Sequence, residues 1–248
     1  MLKKEDIYKI YDQYKKDVKC KVELPAEFLI IPKSLNDTIA MIGHVESGFF
    51  ELYINQDIFY HSRINREYLK QFLYHEFTHV VDNLVYFTDE KDEKKHRKFL
   101  FPYTEFHASQ IEMKKRLGLF DDPSRMITGS SPIYDADGIK TVKYFINEET
   151  REFSAAQREA GRNPDIYNVQ KIIYMIIYNI GFYSVLQNYN IDNRLPVLAA
   201  YPFIQNEFEN ICNLLLYDTP SVILCLQTGG YVHKMTKEIA QSYGYKHN

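Results

Sequence analysis

Two histidines four residues apart, with a glutamate directly after the first, stand in the run His75-Glu76-Phe77-Thr78-His79. On a helix, residues four apart lie one above the other. His75 and His79 can therefore present two imidazoles to one ion. Glu76 sits about 100° round the axis, where its carboxylate can reach a water on that ion. This is the HExxH spacing. A zinc ion with three protein ligands keeps a fourth position for water and lowers that water's pKa to about 7. A neighbouring carboxylate then takes the proton as the water attacks a carbonyl. The plain alternative is a helix carrying two surface or core histidines.

A third ligand is needed, and four side chains compete for the place: Glu105, Glu112, His107 and Asp82. Glu105 and Glu112 share one helical face, whereas His107 points about 200° from Glu105. Asp82 lies one turn beyond His79. There it suits either an exposed or capping role, or a hydrogen bond to the far nitrogen of a metal-bound histidine. His44, His61 and His233 are expected to be ordinary surface or core histidines. Tyr103 or Tyr134 could donate to a developing oxyanion.

The elements that must position these residues can be read from periodicity. Asn65–Phe87 reads as one helix, with Asn65 as N-cap and Glu67 in the first turn. Leu69, Leu73, Phe77, Val80, Val81 and Leu84 form its core flank. Tyr68, Phe72, His75, His79, Asp82 and Tyr86 form a second stripe suited to a cleft floor. Before it, Asp6–Val18 predicts an amphipathic helix, and Phe28–Ile31 a strand ended by Pro32. Turn chemistry follows at Ser34–Asp37. Thr38–Val45 and Gly48–Asn55 predict a hairpin turning near Glu46-Ser47-Gly48, the second strand with the alternation of an edge. After it, Thr88–Lys98 is a mixed-charge run expected to be a solvated loop. Pro102 opens a helix that Gly118 stops, and its small residues Ala108 and Ser109 would let another helix come close. Asp121–Gly138 reads as a loop bordering the cleft. Helices are expected over Ile139–Ala160, Asp165–Asn188, Pro202–Leu216 and Lys234–Tyr243. Gly161–Pro164, Asn193–Pro196, Thr219-Pro220 and Gly229-Gly230 would separate them, and Val222–Leu226 reads as a strand or buried turn. The expected fold is α+β: a small mixed or antiparallel sheet packed on the HExxH helix, then a mostly α-helical C-terminal lobe.

Composition sets the outer limits. The 248 residues are 45% hydrophobic and 25% charged with a formal net charge of −3, ordinary for a globular protein and without the basic excess a nucleic acid or membrane surface would select. Cys20, Cys212 and Cys225 are far apart and odd in number, so neither a disulfide framework nor a cysteine zinc site is expected. No apolar signal region stands near Met1. The most apolar window, Ile172–Leu186, is short and holds Tyr174, Tyr178, Asn179 and Ser184, as a buried helix would. A cytoplasmic protein is the expectation.

The HExxH helix, the small sheet before it and a glutamate-bearing helix after it resemble the zincin metallopeptidases. They are closer still to the gluzincin group, whose third zinc ligand is a Glu on a later helix. Within that group the build is similar to the small intracellular ImmA/IrrE-type peptidases of bacteria and phages. The resemblance covers about Phe28–Gly118. It makes His75 and His79 zinc ligands and Glu76 the general base. It makes Glu105 the third ligand, through Glu105-Phe106-His107-Ala108-Ser109, which looks like the family's Glu-x-x-Ala-Asp/Asn stretch with Ser109 in place of the acid or amide. Residues 1–120 would then be a zincin-like metal-binding core and residues 121–248 a helical lobe packed on it within one structural domain. The implied activity is zinc-dependent hydrolysis of a peptide or protein substrate. The alternative is a regulatory or binding protein whose zinc is structural, for which an intact Glu76 would be unnecessary.

Overall fold

The computed structural model describes residues 2–26, 28–35, 39–45, 49–61, 65–86, 101–135, 138–191, 195–215 and 222–245. The charged run Thr88–Lys98 and the turns at Glu46-Ser47-Gly48 and Thr219-Pro220 fall outside these. So do Asn36 and Asp37, and Asn193 and Arg194. The chain forms two compact units. The first comprises Met1–Lys91, Ile111–Arg125 and Pro132–Lys140; the second comprises Asp92–Gln110, Met126–Ser131 and Thr141–Asn248. The fold is α+β, with a small mixed sheet and a helical C-terminal region.

In the first unit, helix α1 (Lys4–Asp17) starts where the Asp6 carboxylate accepts the Lys3 N–H. It buries Ile7, Tyr11 and Tyr14 on one face. Strands β1 (Leu29–Lys33), β2 (Ala40–Val45) and β3 (Phe49–Asn55) form one sheet in the order β1-β3-β2. β1 runs parallel to β3 and β2 antiparallel to it. The sheet is therefore mixed, and β3 is its central strand, not an edge. The alternation read as an edge signal has another cause: Phe50, Leu52 and Ile54 are buried and the residues between them face the other side, a pattern that reports one covered face and not the strand's place in the order. Pro32 does not end β1 but sits within it. β1 is an edge strand, where a missing N–H on the outer side costs no ladder bond.

A short helix, α2 (Gln56–His61), which periodicity did not reveal, leads towards α3 (Arg66–Tyr86). Asn65 begins α3 as expected: its Oδ1 accepts the Glu67 N–H at 2.9 Å. Leu69, Leu73, Phe77 and Val80 of α3 belong to one buried apolar cluster with Ile30, Leu52 and Ile54 of the sheet and with Tyr11 and Tyr14 of α1.

Helix α4 (Phe101–Arg116) is unbroken, yet its first ten residues belong to the second unit and its last six to the first. It stops as the glycine predicts. Gly118 takes φ +68°, a left-handed value an L side chain resists, and the Leu119 N–H reaches back to the Lys114 carbonyl. The expected loop Asp121–Gly138 contains a strand, β4 (Pro132–Asp135), paired with β5 (Gly138–Thr141). Ile139–Thr141 is therefore extended, not helical.

In the second unit, Thr141 caps α5 (Val142–Arg162) and Asp165 caps α6 (Ile166–Leu186) through their side-chain oxygens. Then come α7 (Leu195–Ala200), α8 (Gln205–Leu215) and α9 (Val222–Ser242). α7 occupies part of an expected connection, and α9 runs straight through Gly229-Gly230. Those glycines do not break it, because Leu224, Cys225, Val232, Met235 and Ile239 bury one helical stripe, whose gain exceeds the roughly 1 kcal/mol a helical glycine costs. Val222–Leu226 is its first turn, neither strand nor buried turn.

Ile166–Tyr189 is long and apolar enough by length and composition to cross a membrane, but 61% of its apolar window is buried inside the protein. A core helix has that character. Gly181 marks a close approach along it. A Cβ there would lie 2.5 Å from the Ser109 Cβ and 2.7 Å from the Phe106 carbonyl oxygen, so α6 meets α4 at Ser109, one of the two small residues singled out in the sequence. Gly181→Ala should therefore destabilise the protein by about 1–3 kcal/mol through overpacking. Gly230→Ala, whose Cβ meets nothing within 4 Å, should be neutral or stabilising by about 0.5–1 kcal/mol. Denaturant unfolding of the two variants gives both values; the same sign for both would contradict the close approach.

Candidate metal centre

The two motif histidines fall on one face of α3, as their spacing requires. Their ring centroids are 4.7 Å apart with the planes 79° to one another. His75 is buried and His79 half-buried. Glu105, in the second turn of α4, is also buried. His75, His79 and Glu105 each offer one ligand atom, and these atoms all lie within 4.8 Å of one another. The buried group is of a kind that could hold a metal ion. A tetrahedral zinc keeps its donors about 3.4 Å apart, a spacing inside the 4.8 Å limit that these atoms keep. Two imidazoles and one carboxylate are a donor set that suits zinc chemically.

Glu112, the other acid on the same face of α4, has a different place. Its Oε2 stands 3.1 Å from His75 Nδ1, an ion-pair approach made without the in-line angle of a hydrogen bond. Its Oε1 accepts from Arg116 Nε at 2.9 Å and from Nη2 at 2.6 Å. The carboxylate is fully buried, and the guanidinium beside it nearly so. Glu112 thus faces the nitrogen of His75 that would lie away from an ion bound at Nε2. Ser109, where the resembled family carries an acid or amide, instead donates its hydroxyl to the Glu105 carbonyl at 2.7 Å.

Glu76 is buried, and its Oε2 accepts the Ile42 N–H of β2 at 2.8 Å. Thr78, inside the motif, ties α3 to α1: Tyr14 Oη and Thr78 Oγ1 are 3.2 Å apart, and Thr78 also donates to the Tyr74 carbonyl. Burial pushes the Tyr14 hydroxyl well above the ordinary tyrosine range. The Thr78 hydrogen bond works against that rise, and the charge of Asp82 adds to it.

The remaining candidates disperse. Asp82 is buried, not exposed or capping, and its charge is felt at Tyr14. His107 is partly buried against the Tyr103 ring, and His233 is exposed on α9. The side chains of His44 and His61 lie outside the described set. Tyr103 is buried, whereas Tyr134 is partly exposed on β4. Another tyrosine touches a candidate ligand. Tyr174 of α6 donates its hydroxyl to Glu105 Oε2 at 3.0 Å. It lies 69 residues downstream, where no local pattern could mark it.

No protein-family model, no curated protein and no solved structure matches the chain. The case for a function therefore stands on the residues and their geometry.

Removing one member of the Glu112–Arg116 pair leaves a buried charge without its partner. Glu112→Ala should cost about 3–5 kcal/mol. Replacing both residues by leucine should cost less than either single change to leucine, because no unpaired charge remains. Chemical denaturation of the single and double variants tests this, and a double variant weaker than both singles would contradict it.

Proposed function

We propose that the chain is a zinc-dependent metallopeptidase in which His75, His79 and Glu105 hold the ion and Glu76 is the general base. The observation that carries this is the meeting of two imidazoles and one carboxylate from two helices, with the Glu76 carboxylate next in sequence to the first imidazole. A bound zinc ion supplies Lewis-acid chemistry, acidifying water and polarising a carbonyl. The residues of the chain do the rest. His75 and His79 keep a fixed mutual angle because α3 is rigid and its apolar flank is packed. Glu112 faces Nδ1 of His75, which favours Nε2 as the nitrogen turned to the ion. Glu76 takes the proton of the attacking water and passes it to the leaving amine. The buried setting of these groups strengthens each electrostatic contact among them.

A peptide substrate suits the surroundings of Glu76. Just before β2 the Ile39 carbonyl accepts from Asn55 of β3, so the odd-numbered residues turn their amides inward and Ala40, Ile42 and His44 turn theirs to the outer edge. Such an edge offers main-chain hydrogen bonds to an extended peptide beside the carboxylate. The family reading, an ImmA/IrrE-like gluzincin, is compatible with this arrangement and rests on the motif residues.

A second reading, a regulatory protein with structural zinc, is favoured by one observation. The bond from Ile42 gives Glu76 a structural task as well. Glu76→Gln separates the two readings, because glutamine keeps an acceptor for the Ile42 N–H and cannot take a proton from water.

Elemental analysis should find about one zinc per chain, and His79→Ala and Glu105→Ala should lose it. Glu76→Gln should keep the zinc and the fold while cleavage of a denatured protein substrate falls by about 10²–10⁴-fold. Protein purified without chelators that holds no stoichiometric zinc would overturn the metal assignment. Glu76→Gln with wild-type cleavage would overturn the role of Glu76.

A further inference from the structure

We propose that Tyr174 is a positioning residue for the third ligand: its hydroxyl holds one oxygen of Glu105, so that Glu105 meets the ion through the other alone. The inference rests on the metal reading above and goes beyond it, because it names a residue that orients the third ligand. Tyr174 Oη donates to Glu105 Oε2 at 3.0 Å. A carboxylate can ligate a cation through one oxygen or both. A donor seated on Oε2 competes for the lone pairs that a second bond to the ion would need, and it fixes the plane of the carboxylate. One bond from Glu105 and one from each histidine leaves a fourth position for water.

The contact is built, not incidental. Both residues belong to the second unit, and three points fix the seam between α4 and α6. Tyr174 meets Glu105. Gly181, two turns further along α6, admits the backbone of α4 at Phe106 and Ser109. Ser184 meets Gln110 at 3.1 Å. The Asp165 cap starts α6 in a fixed phase, its Oδ1 accepting the Asn168 N–H at 2.8 Å. The phase of each helix is thereby set, and the hydroxyl of Tyr174 arrives at Oε2 without a search. Tyr174 is itself 46% exposed, so removing its hydroxyl opens no cavity in the core.

The test measures zinc affinity by competition with a chromophoric chelator, and the visible spectrum of the cobalt-substituted protein, which reports coordination number. Wild type should take up zinc and show a four-coordinate cobalt spectrum. Tyr174→Phe should weaken zinc binding about 10-fold and shift the cobalt spectrum towards five-coordination, with unfolding of the metal-free protein unchanged. Tyr178→Phe, one turn away, should keep both readouts. In a Glu105→Ala background the Tyr174→Phe change should have no further effect on residual zinc affinity, since the two residues act through one contact. Wild-type affinity and spectrum in Tyr174→Phe, an equal loss in Tyr178→Phe, or an undiminished effect without Glu105 would each overturn the proposal. Wild-type protein that takes up no zinc would overturn the metal reading, and this inference with it.

Discussion

The carboxylate of Glu112 has no exposed surface and the guanidinium of Arg116 almost none. Each is tolerable in the interior only because the other is there, since the transfer of an isolated charge out of water costs several kcal/mol even after relaxation. The pair sits four residues apart on α4, so the helix itself holds the two charges together. It then imposes an orientation on its surroundings. Oε1 is taken by Arg116, and Oε2 is left against His75. The guanidinium lies 5.3 Å from the Phe72 ring centroid and 5.7 Å from that of Tyr68 on α3. One buried pair therefore stands against both His75 and the aromatic rings of α3. Glu105 lies seven residues, or two turns, before Glu112 on the same face of α4.

This explains which parts of the site could be read from the sequence. His75, Glu76 and His79 were legible because their relation is local: a helix repeats every 3.6 residues wherever it forms. Glu105 was legible as one of two acids on a helical face, but periodicity could not choose between Glu105 and Glu112. The choice turns on Arg116. An arginine four residues after a glutamate is an ordinary surface pairing in most helices; only burial makes it decisive, and burial is a property of the fold. Tyr174 was out of reach altogether, being one of 21 tyrosines and tied to Glu105 across 69 residues. The same division holds for the fold. Strands β2 and β3 and helices α1, α3 and α4 show their periods plainly. The parallel pairing of β1 with β3 does not, because strand order is written in long-range contacts. Gly229-Gly230 misled for a related reason: glycine lowers local helix propensity, and tertiary burial along α9 overrides it.

The C-terminal region gains a role from this geometry. It carries no motif, yet it presents a hydroxyl to a candidate ligand, on a helix that the small residues Ser109 and Gly181 allow to lie against α4. Its apolar helix α6 packs chiefly on α5 and α8, and most of its apolar window is covered by protein.

The hydrogen bond between Ile42 and Glu76 has a consequence for the protein's behaviour in crowded solution. β2 ends the three-stranded sheet, and an edge strand with outward amides is a template on which a strand of another molecule can add, the first step towards aggregates. The Glu76 carboxylate occupies the central outward donor of that edge and places a negative charge beside it. Covering an edge with a helix is among the devices by which natural sheets discourage self-association. Position 76 therefore answers to the sheet edge as well as to the helix that carries it. An acceptor at position 76 serves the sheet edge whatever else the residue does.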